Sequence, residues 1–75
     1  MTDLNLYPNP VNDELIVRYN SDNAFHIDIK DMTGKILFSS KIHSDLTLNT
    51  SLWNQGMYFI QIQEENRTIP FVVMH

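Results

Sequence analysis

Apolar and polar residues alternate along most of this chain of 75 residues. The alternation is clearest in segments 15–19, 25–29, 58–62 and 69–73. A period of two places alternate side chains on opposite faces of a strand, so the pattern predicts strands with one buried and one exposed face. The sequence has no apolar repeat at the three- and four-residue spacing of a helix, and we predict no helix longer than a single turn.

Turn-forming residues separate these segments. Residues 31–35 predict a hairpin with Gly34 in the left-handed region, and residues 65–66 predict a second tight hairpin. Residues 49–56 predict a longer loop that crosses between sheets. The predicted strands lie near residues 4–7, 14–20, 24–30, 35–42, 45–49, 57–64 and 67–74.

Seven short strands predict an all-β fold, specifically a seven-stranded antiparallel immunoglobulin-like β-sandwich. A small barrel is the alternative. We expect one domain over residues 1–75, with residues 1–3 serving as linker. Leu52 is expected to close one end of the core, with Trp53 facing outward or covering a sheet edge. The predicted core residues are Leu15, Val17, Phe25, Ile27, Ile29, Leu48, Leu52, Tyr58, Ile60, Ile62 and Phe71.

Charge and composition exclude several classes of function. Nine acidic residues against five basic ones give a net charge of −4, and the basic residues are dispersed singly. This distribution argues against a nucleic acid or an anionic membrane as partner. No apolar run approaches the ~20 residues of a spanning helix, so we expect no membrane insertion. Cysteine is absent, which removes disulfides and thiolate chemistry.

Candidate catalytic and metal-binding residues are few. His26, His43 and His75 lack the spacing of a zinc site, and we expect the first two to be solvated on the surface. The sequence has no G-x-S-x-G elbow or other catalytic signature. It therefore predicts no enzyme activity, no catalytic residue, no metal and no cofactor. Residues 1–3 show no signal-peptide pattern, and we expect the chain to be a segment of a longer protein.

Four sequence blocks occur in a distinctive order. The chain opens with LYPNP at residues 6–10 and continues with DMTGK at 31–35, LTLN at 46–49 and GMYFIQI at 56–62. In this order they resemble the C-terminal sorting domain of the type IX (Por) secretion system of Bacteroidetes. The likeness extends from Leu4 to about Val73. The combination of the Tyr-Pro-Asn-Pro opening with the late Gly-x-Tyr strand carries the resemblance.

The resemblance implies a C-terminal signal that directs an upstream cargo through the outer-membrane translocon to the cell surface. The implied partners are translocon components and a sortase-like cysteine peptidase that cuts just upstream of residues 7–10. The protein would then be secreted or held at the cell surface after passing through the periplasm. Asn54 stands where the family usually has proline, and the last strand lacks the usual lysine. The implied sorting residues are Tyr7, Pro8, Asn9, Pro10, Gly34, Gly56, Tyr58, Val72 and Met74.

The last predicted strand, residues 67–74, is expected at a sheet edge. Pro70 fits an edge because proline lacks an N–H group for the ladder. The exposed backbone and the outward Val72 and Met74 would suit a receptor, and they would also allow a homodimer. The alternative function is a carbohydrate-binding or adhesive module of an extracellular protein. Its mark would be a row of exposed aromatic residues, Trp53 with Phe59 or Tyr19.

Overall fold

The computed structural model describes residues 3–7, 11–20 and 23–75. These residues form seven strands and one single-turn 3₁₀ helix, Gln63–Glu65, and none of them forms a helix long and apolar enough to cross a membrane. Every predicted strand is confirmed with its ends within two residues. The strands are β1 Asp3–Tyr7, β2 Glu14–Asn20, β3 Phe25–Lys30, β4 Ile36–Ile42, β5 Leu46–Asn49, β6 Gly56–Ile62 and β7 Arg67–Val73.

The strands form two antiparallel sheets. One sheet has the order β1-β2-β5 and the other has the order β4-β3-β6-β7. The predicted all-β, two-sheet antiparallel architecture is therefore confirmed, and the closed barrel is not formed by the described residues. Both short hairpins also match the sequence. Gly34 has φ +88°, and Asn66, after the 3₁₀ turn, has φ +49°.

The inward side chains of both sheets make one hydrophobic core. Its centre lies on β3 and β6, where Ile27, Ile29, Ile60 and Ile62 are fully buried. These β-branched residues suit extended backbone, because their stiff side chains pack well on a pleated surface. Every predicted core residue except Leu52 lies in this core or packs against it. The predicted core omitted four buried hydrophobic residues, Leu4, Val11, Ile42 and Val73.

The prediction for Leu52 and Trp53 is wrong. Leu52 is 95% exposed, whereas Trp53 is half-buried and packs against the core. The backbone N–H of Trp53 donates to the carbonyl of Thr50 at 3.0 Å, and this turn brings the indole over the ring of Tyr58. The indole can bury more apolar area than leucine, so the larger side chain covers the end of the core.

Val11 joins the two sheets. β1 belongs to the three-stranded sheet, but Val11 makes a parallel bridge to Val73 at the edge of the four-stranded sheet. Its N–H donates to the carbonyl of Val72 at 2.8 Å, and its carbonyl accepts from the N–H of Met74 at 2.7 Å. The chain thus changes sheets between Tyr7 and Val11. The expectation that all of the β7 edge is open is wrong, because Val11 occupies its last part.

A polar network joins the first half of β3 to the 3₁₀ turn Gln63–Glu65. The N–H of His26 donates to Glu64 Oε1 at 2.9 Å, and its ring Nδ1 lies 2.6 Å from Oε2. Asp28 is only 8% exposed and accepts hydrogen bonds from Ser39 Oγ at 2.6 Å and Gln63 Nε2 at 2.8 Å. His26 is exposed, as expected, but it is not merely solvated. These bonds hold the 3₁₀ turn against β3.

Hydrogen bonds to the charged form lower the pKa of both carboxyl groups in this network. Ser39 contributes most to lowering the pKa of Asp28, with Gln63 and nearby cations adding to it against the opposing effect of burial. The backbone N–H of His26 contributes most to lowering the pKa of Glu64. Folding therefore favours the ionised form of each group.

Truncation of Ile60 tests the core. We expect Ile60→Ala to lower the free energy of unfolding by about 2–5 kcal/mol, because it leaves a cavity between the sheets. Ile36→Ala removes the same atoms from a half-exposed position and should cost at most about 1 kcal/mol. Urea unfolding monitored by far-ultraviolet circular dichroism measures both. Equal losses in the two variants would contradict the described core.

Acid titration tests the polar network. The stabilisation from Asp28 and Glu64 is fully present above the ordinary carboxyl pKa of about 4 and is lost as the pH falls through the lowered folded pKa. The free energy of unfolding should therefore fall between about pH 5 and pH 2, and Asp28→Asn should make that fall shallower. Glu14→Gln, on the other sheet, is the control. Identical slopes for wild type and Asp28→Asn would refute this role for Asp28.

Candidate functional site

Those sequence-predicted sorting residues that the structure describes converge on one end of the sandwich. β1, β3, β5 and β7 end here, and β2, β4 and β6 begin here. We call this end the motif pole and define it as Tyr7 with residues 11–13, 31–35, 50–58 and 72–75. The start of β1 at Asp3 lies at the opposite end. The longest dimension of the described structure is 34 Å.

Thr50 ties two loops of the motif pole together. Its side chain is fully buried, and its Oγ1 donates to the carbonyl of Asn12 at 2.9 Å. Its backbone N–H donates to the carbonyl of Asp13 at 2.8 Å. A buried hydroxyl and a loop amide thus both have partners, as burial of polar groups requires. The crossing loop is therefore fixed to the segment that follows residues 8–10.

The C-terminal residue closes over the same loops. The N–H of His75 donates to Gln55 Oε1 at 3.1 Å, and its ring Nε2 lies 2.6 Å from the carbonyl oxygen of Trp53. Its Nδ1 is 3.7 Å from a carboxylate oxygen of Asp13. Residues 11–13, the crossing loop and His75 are thus held together by these hydrogen bonds and by the contact between His75 and Asp13.

An aromatic column lies beneath these loops. The rings of Trp53 and Tyr58 are 5.2 Å apart, and those of Tyr58 and Phe71 are 5.8 Å apart. The hydroxyl of Tyr58 donates to the carbonyl of Asn54 at 2.6 Å, so the buried ring has a partner for its polar end. Tyr58, predicted as a sorting residue, is buried and therefore supports the pole from inside.

The two glycines of the predicted motif allow backbone conformations that other residues disfavour. Gly34 has φ +88° and Gly56 has φ +149°, both in a region that side chains disfavour. A Cβ atom at either position would meet no other atom within 4 Å. The backbone conformation, and not the space around it, therefore requires glycine at both turns.

Tyr7, Val72 and Met74 lie at the motif pole on different surfaces. Tyr7 is on the outer face of the three-stranded sheet, with its ring 5.7 Å from Arg18 Cζ. Val72 and Met74 are on the outer face of the four-stranded sheet, and Val72 pairs with Met57. Pro8, Asn9 and Pro10 lie outside the described residues. The structure thus gathers the predicted residues at one end but does not join them into one contact surface.

An apolar patch extends from the motif pole along β6 and β7. Alternation along both strands turns its members away from the core. Pro70 pairs with Phe59 in the register of these strands, as Val72 does with Met57. Most of these side chains are exposed or half-buried. We call the patch the methionine face, and it consists of Met57, Phe59, Pro70, Val72 and Met74.

The described residues do not assemble the marks of the other functions considered. They contain no group of three histidine, aspartate or glutamate side chains that could hold a metal. Trp53 packs at the end of the core, while Phe59 lies on the outer face of the four-stranded sheet, so these two do not form the planar row expected of a carbohydrate site. The side chain of Tyr19 lies outside the described residues.

Residues 5–73 match the family model described as the secretion system C-terminal sorting domain. The chain belongs to this family. An endo-acting ulvan lyase of Formosa agariphila is 27% identical in an alignment of 67 residues that covers 87% of this chain and 13% of that protein. The chain therefore corresponds to a small part of that relative's length. No solved structure matches the chain.

Membership in the family confirms the resemblance drawn from the sequence. A sorting domain of this type is a C-terminal secretion signal and marks the C-terminus of secreted or cell-surface proteins. Domains of the family are generally non-catalytic.

Matched substitutions in the crossing loop test the roles of its two large apolar residues. We expect Leu52→Ala to change the free energy of unfolding by less than about 0.5 kcal/mol, because Leu52 is exposed. Trp53→Ala should cost about 2 kcal/mol, because it removes half-buried area and the contact with Tyr58. Urea unfolding followed by circular dichroism measures both. A larger loss for Leu52→Ala would reverse the assignment.

Proposed function

We propose that this domain directs an upstream cargo through the type IX outer-membrane translocon to the cell surface. Family membership supports this role, and the direction of the chain through the fold supports it further. A cargo joined before Asp3 would leave from one end, while the described members of the predicted sorting residues lie at the other. A receptor could therefore reach the motif pole whatever the size of the cargo.

The methionine face supplies the contact surface in this proposal. Met74 is 54% exposed, and Met57 is also exposed beside it. Methionine side chains are flexible and polarisable, so they adapt to a partner surface. The backbone of β7 contributes less than the sequence suggested, because Val11 already bonds to Val72 and Met74. We therefore propose that side chains, more than the β7 backbone, contact the translocon.

The position of β1 bears on processing. Leu4 is buried in the core, and Leu6 packs against it. A cut between Asp3 and Tyr7 would split or remove this strand and expose part of the core. We therefore propose that the sortase-like cysteine peptidase cuts before Asp3 and leaves the domain intact. This position is further upstream than the sequence analysis expected.

The strand order supports an immunoglobulin-like topology. β2 and β5 pair in one sheet, while β3, β6 and β7 are neighbours in the other, as in the B-E and C-F-G sets of that fold. β4 extends the second sheet beside β3. A homodimer through β7 is less favoured, because Val11 leaves only the first part of that edge for a second copy.

Charge placed on the methionine face tests the proposal. A reporter is fused upstream of the domain in a type IX-competent host, and surface and periplasmic fractions are compared. Val72→Lys with Met74→Lys should lower surface delivery by about tenfold, because desolvating two ammonium groups opposes an apolar contact. The double variant should still fold, since both side chains point away from the core.

Asn5→Lys with Thr47→Lys is the matched control. It adds the same charge to exposed positions on the outer face of the three-stranded sheet. This variant should deliver the reporter at the wild-type level. If the folded Val72→Lys, Met74→Lys variant also reaches the surface at that level, the methionine face has no role in sorting.

A further inference from the structure

The chain passes from one sheet to the other within the short segment that precedes β2. Val11 belongs to the edge of the four-stranded sheet, where it pairs with Val73 in a parallel bridge. The carbonyls of the next two residues, Asn12 and Asp13, instead accept hydrogen bonds from Thr50, which directly follows β5 of the three-stranded sheet. Bonds to the two sheets are therefore only one residue apart along the backbone.

Thr50 lengthens the ladder between β2 and β5 beyond its last pair. The antiparallel register of these strands places Asp13 opposite Thr50, and the N–H of Thr50 donates to the carbonyl of Asp13 at 2.8 Å. The backbone then turns into the crossing loop. The hydroxyl continues where the backbone leaves, because Oγ1 donates to the carbonyl of Asn12 at 2.9 Å.

Apolar burial and hydrogen bonding both hold residues 11–13, and only hydrogen bonding is directional. The Val11 side chain is 1% exposed, which keeps the segment against the core without fixing the direction of its backbone. The hydroxyl bond of Thr50 does fix that direction. The Thr50 side chain is fully buried, so its hydroxyl does not exchange this partner for water. The bond therefore holds the backbone one residue from the bridge to Val73.

The last residue of the methionine face depends on this bridge. β7 ends at Val73, in its final pair with β6, and Met74 lies beyond that pair. The N–H of Met74 donates to the carbonyl of Val11 at 2.7 Å, and the N–H of Val11 donates to the carbonyl of Val72 at 2.8 Å. Met74 is 54% exposed, so its direction is set more by its backbone than by packing. The position of Val11 therefore determines where Met74 projects.

The crossing loop links Thr50 to the other side of Met74. The N–H of Trp53 donates to the carbonyl of Thr50 at 3.0 Å and closes the turn after β5. The ring Nε2 of His75 lies 2.6 Å from the carbonyl oxygen of Trp53, and its backbone N–H donates to Gln55 Oε1 at 3.1 Å. Residues before and after Met74 are thus bonded to segments that Thr50 holds.

We propose that the Thr50 hydroxyl is a positioning group for the sorting signal, which holds Val11 in its bridge to β7 and thereby places Met74 on the methionine face. Thr50 does not itself touch a partner, since its side chain is fully buried. Valine has nearly the same shape without the hydroxyl, and serine keeps the hydroxyl without the methyl group. The effect on sorting rests on the proposed function, whereas the effect on Met74 can be measured without it.

Amide hydrogen exchange of the folded domain tests the structural part. In Thr50→Val, the amides of Val11 and Met74 should exchange about tenfold faster relative to a core amide, because their segment loses a neighbouring bond. The amide of Ile60 is that core reference. Thr50→Ser should remain within about threefold of the wild-type ratio, since the hydroxyl is retained. Ile42→Val removes one carbon from the core at the opposite end and should leave the ratio unchanged.

Reporter delivery tests the sorting part, with the fusion and fractionation used for the methionine face. Thr50→Val should lower surface delivery by about threefold or more, because a displaced Met74 weakens the apolar contact. Thr50→Ser should restore delivery to near the wild-type level. Ile42→Val controls for a general loss of stability, which urea unfolding of each isolated domain measures, and it should deliver normally.

Three results would overturn the proposal. The first is an unchanged exchange ratio at Val11 and Met74 in Thr50→Val, and the second is an equal acceleration in Thr50→Ser. The third is an equal loss of delivery in Ile42→Val at the same loss of stability, because Thr50 would then act through stability alone.

Two further measurements keep the proposal open to refutation. If Thr50→Val does not fold, the wild type decides, because the amides of Val11, Thr50 and Met74 should then open together at one rate. Independent rates for these amides would contradict the proposal. Faster exchange in Thr50→Val combined with normal delivery by the folded Val72→Lys, Met74→Lys variant would support the positioning of Met74 and contradict the contact assigned to the methionine face.

Discussion

The contact between β3 and β6 is the interaction on which the rest of the structure depends. Four isoleucines on these two central strands are fully buried, and both edges of the four-stranded sheet are built outward from them. Without disulfides, burial of such residues must offset nearly all of the conformational entropy that folding removes. The loops of the motif pole are placed by the ends of strands that this contact holds in register.

Much of the fold could be predicted from sequence because strand signals are local. Alternation of apolar residues determined which side chains of β3, β6 and β7 face the core, and this assignment is confirmed. Glycine at position 34 marked a turn because few other residues adopt its backbone conformation. The family could be recognised because its motifs occur at these turns and strand starts.

The wrong predictions concern residues whose positions depend on distant parts of the chain. Leu52 and Trp53 are adjacent and both apolar, and only the turn from Thr50 decides which one packs on Tyr58. Val11 has no strand pattern around it, so its bridge to Val73 could not be expected. The sequence offered one indication of this contact, which is that Val11 is apolar and directly follows Pro10. The same bridge made β7 less open than its sequence suggested.

The exchange of sheets between Tyr7 and Val11 has a mechanical consequence. Tension applied at Asp3 against a motif pole held by a receptor would act along the strands. β1 would then be pulled lengthwise past β2, and Val11 lengthwise past β7, so that the hydrogen bonds of each pair carry the load together. A strand peeled sideways would lose its bonds one at a time. The fold is therefore oriented to transmit a pull between the start of β1 and the motif pole in shear, its more resistant direction.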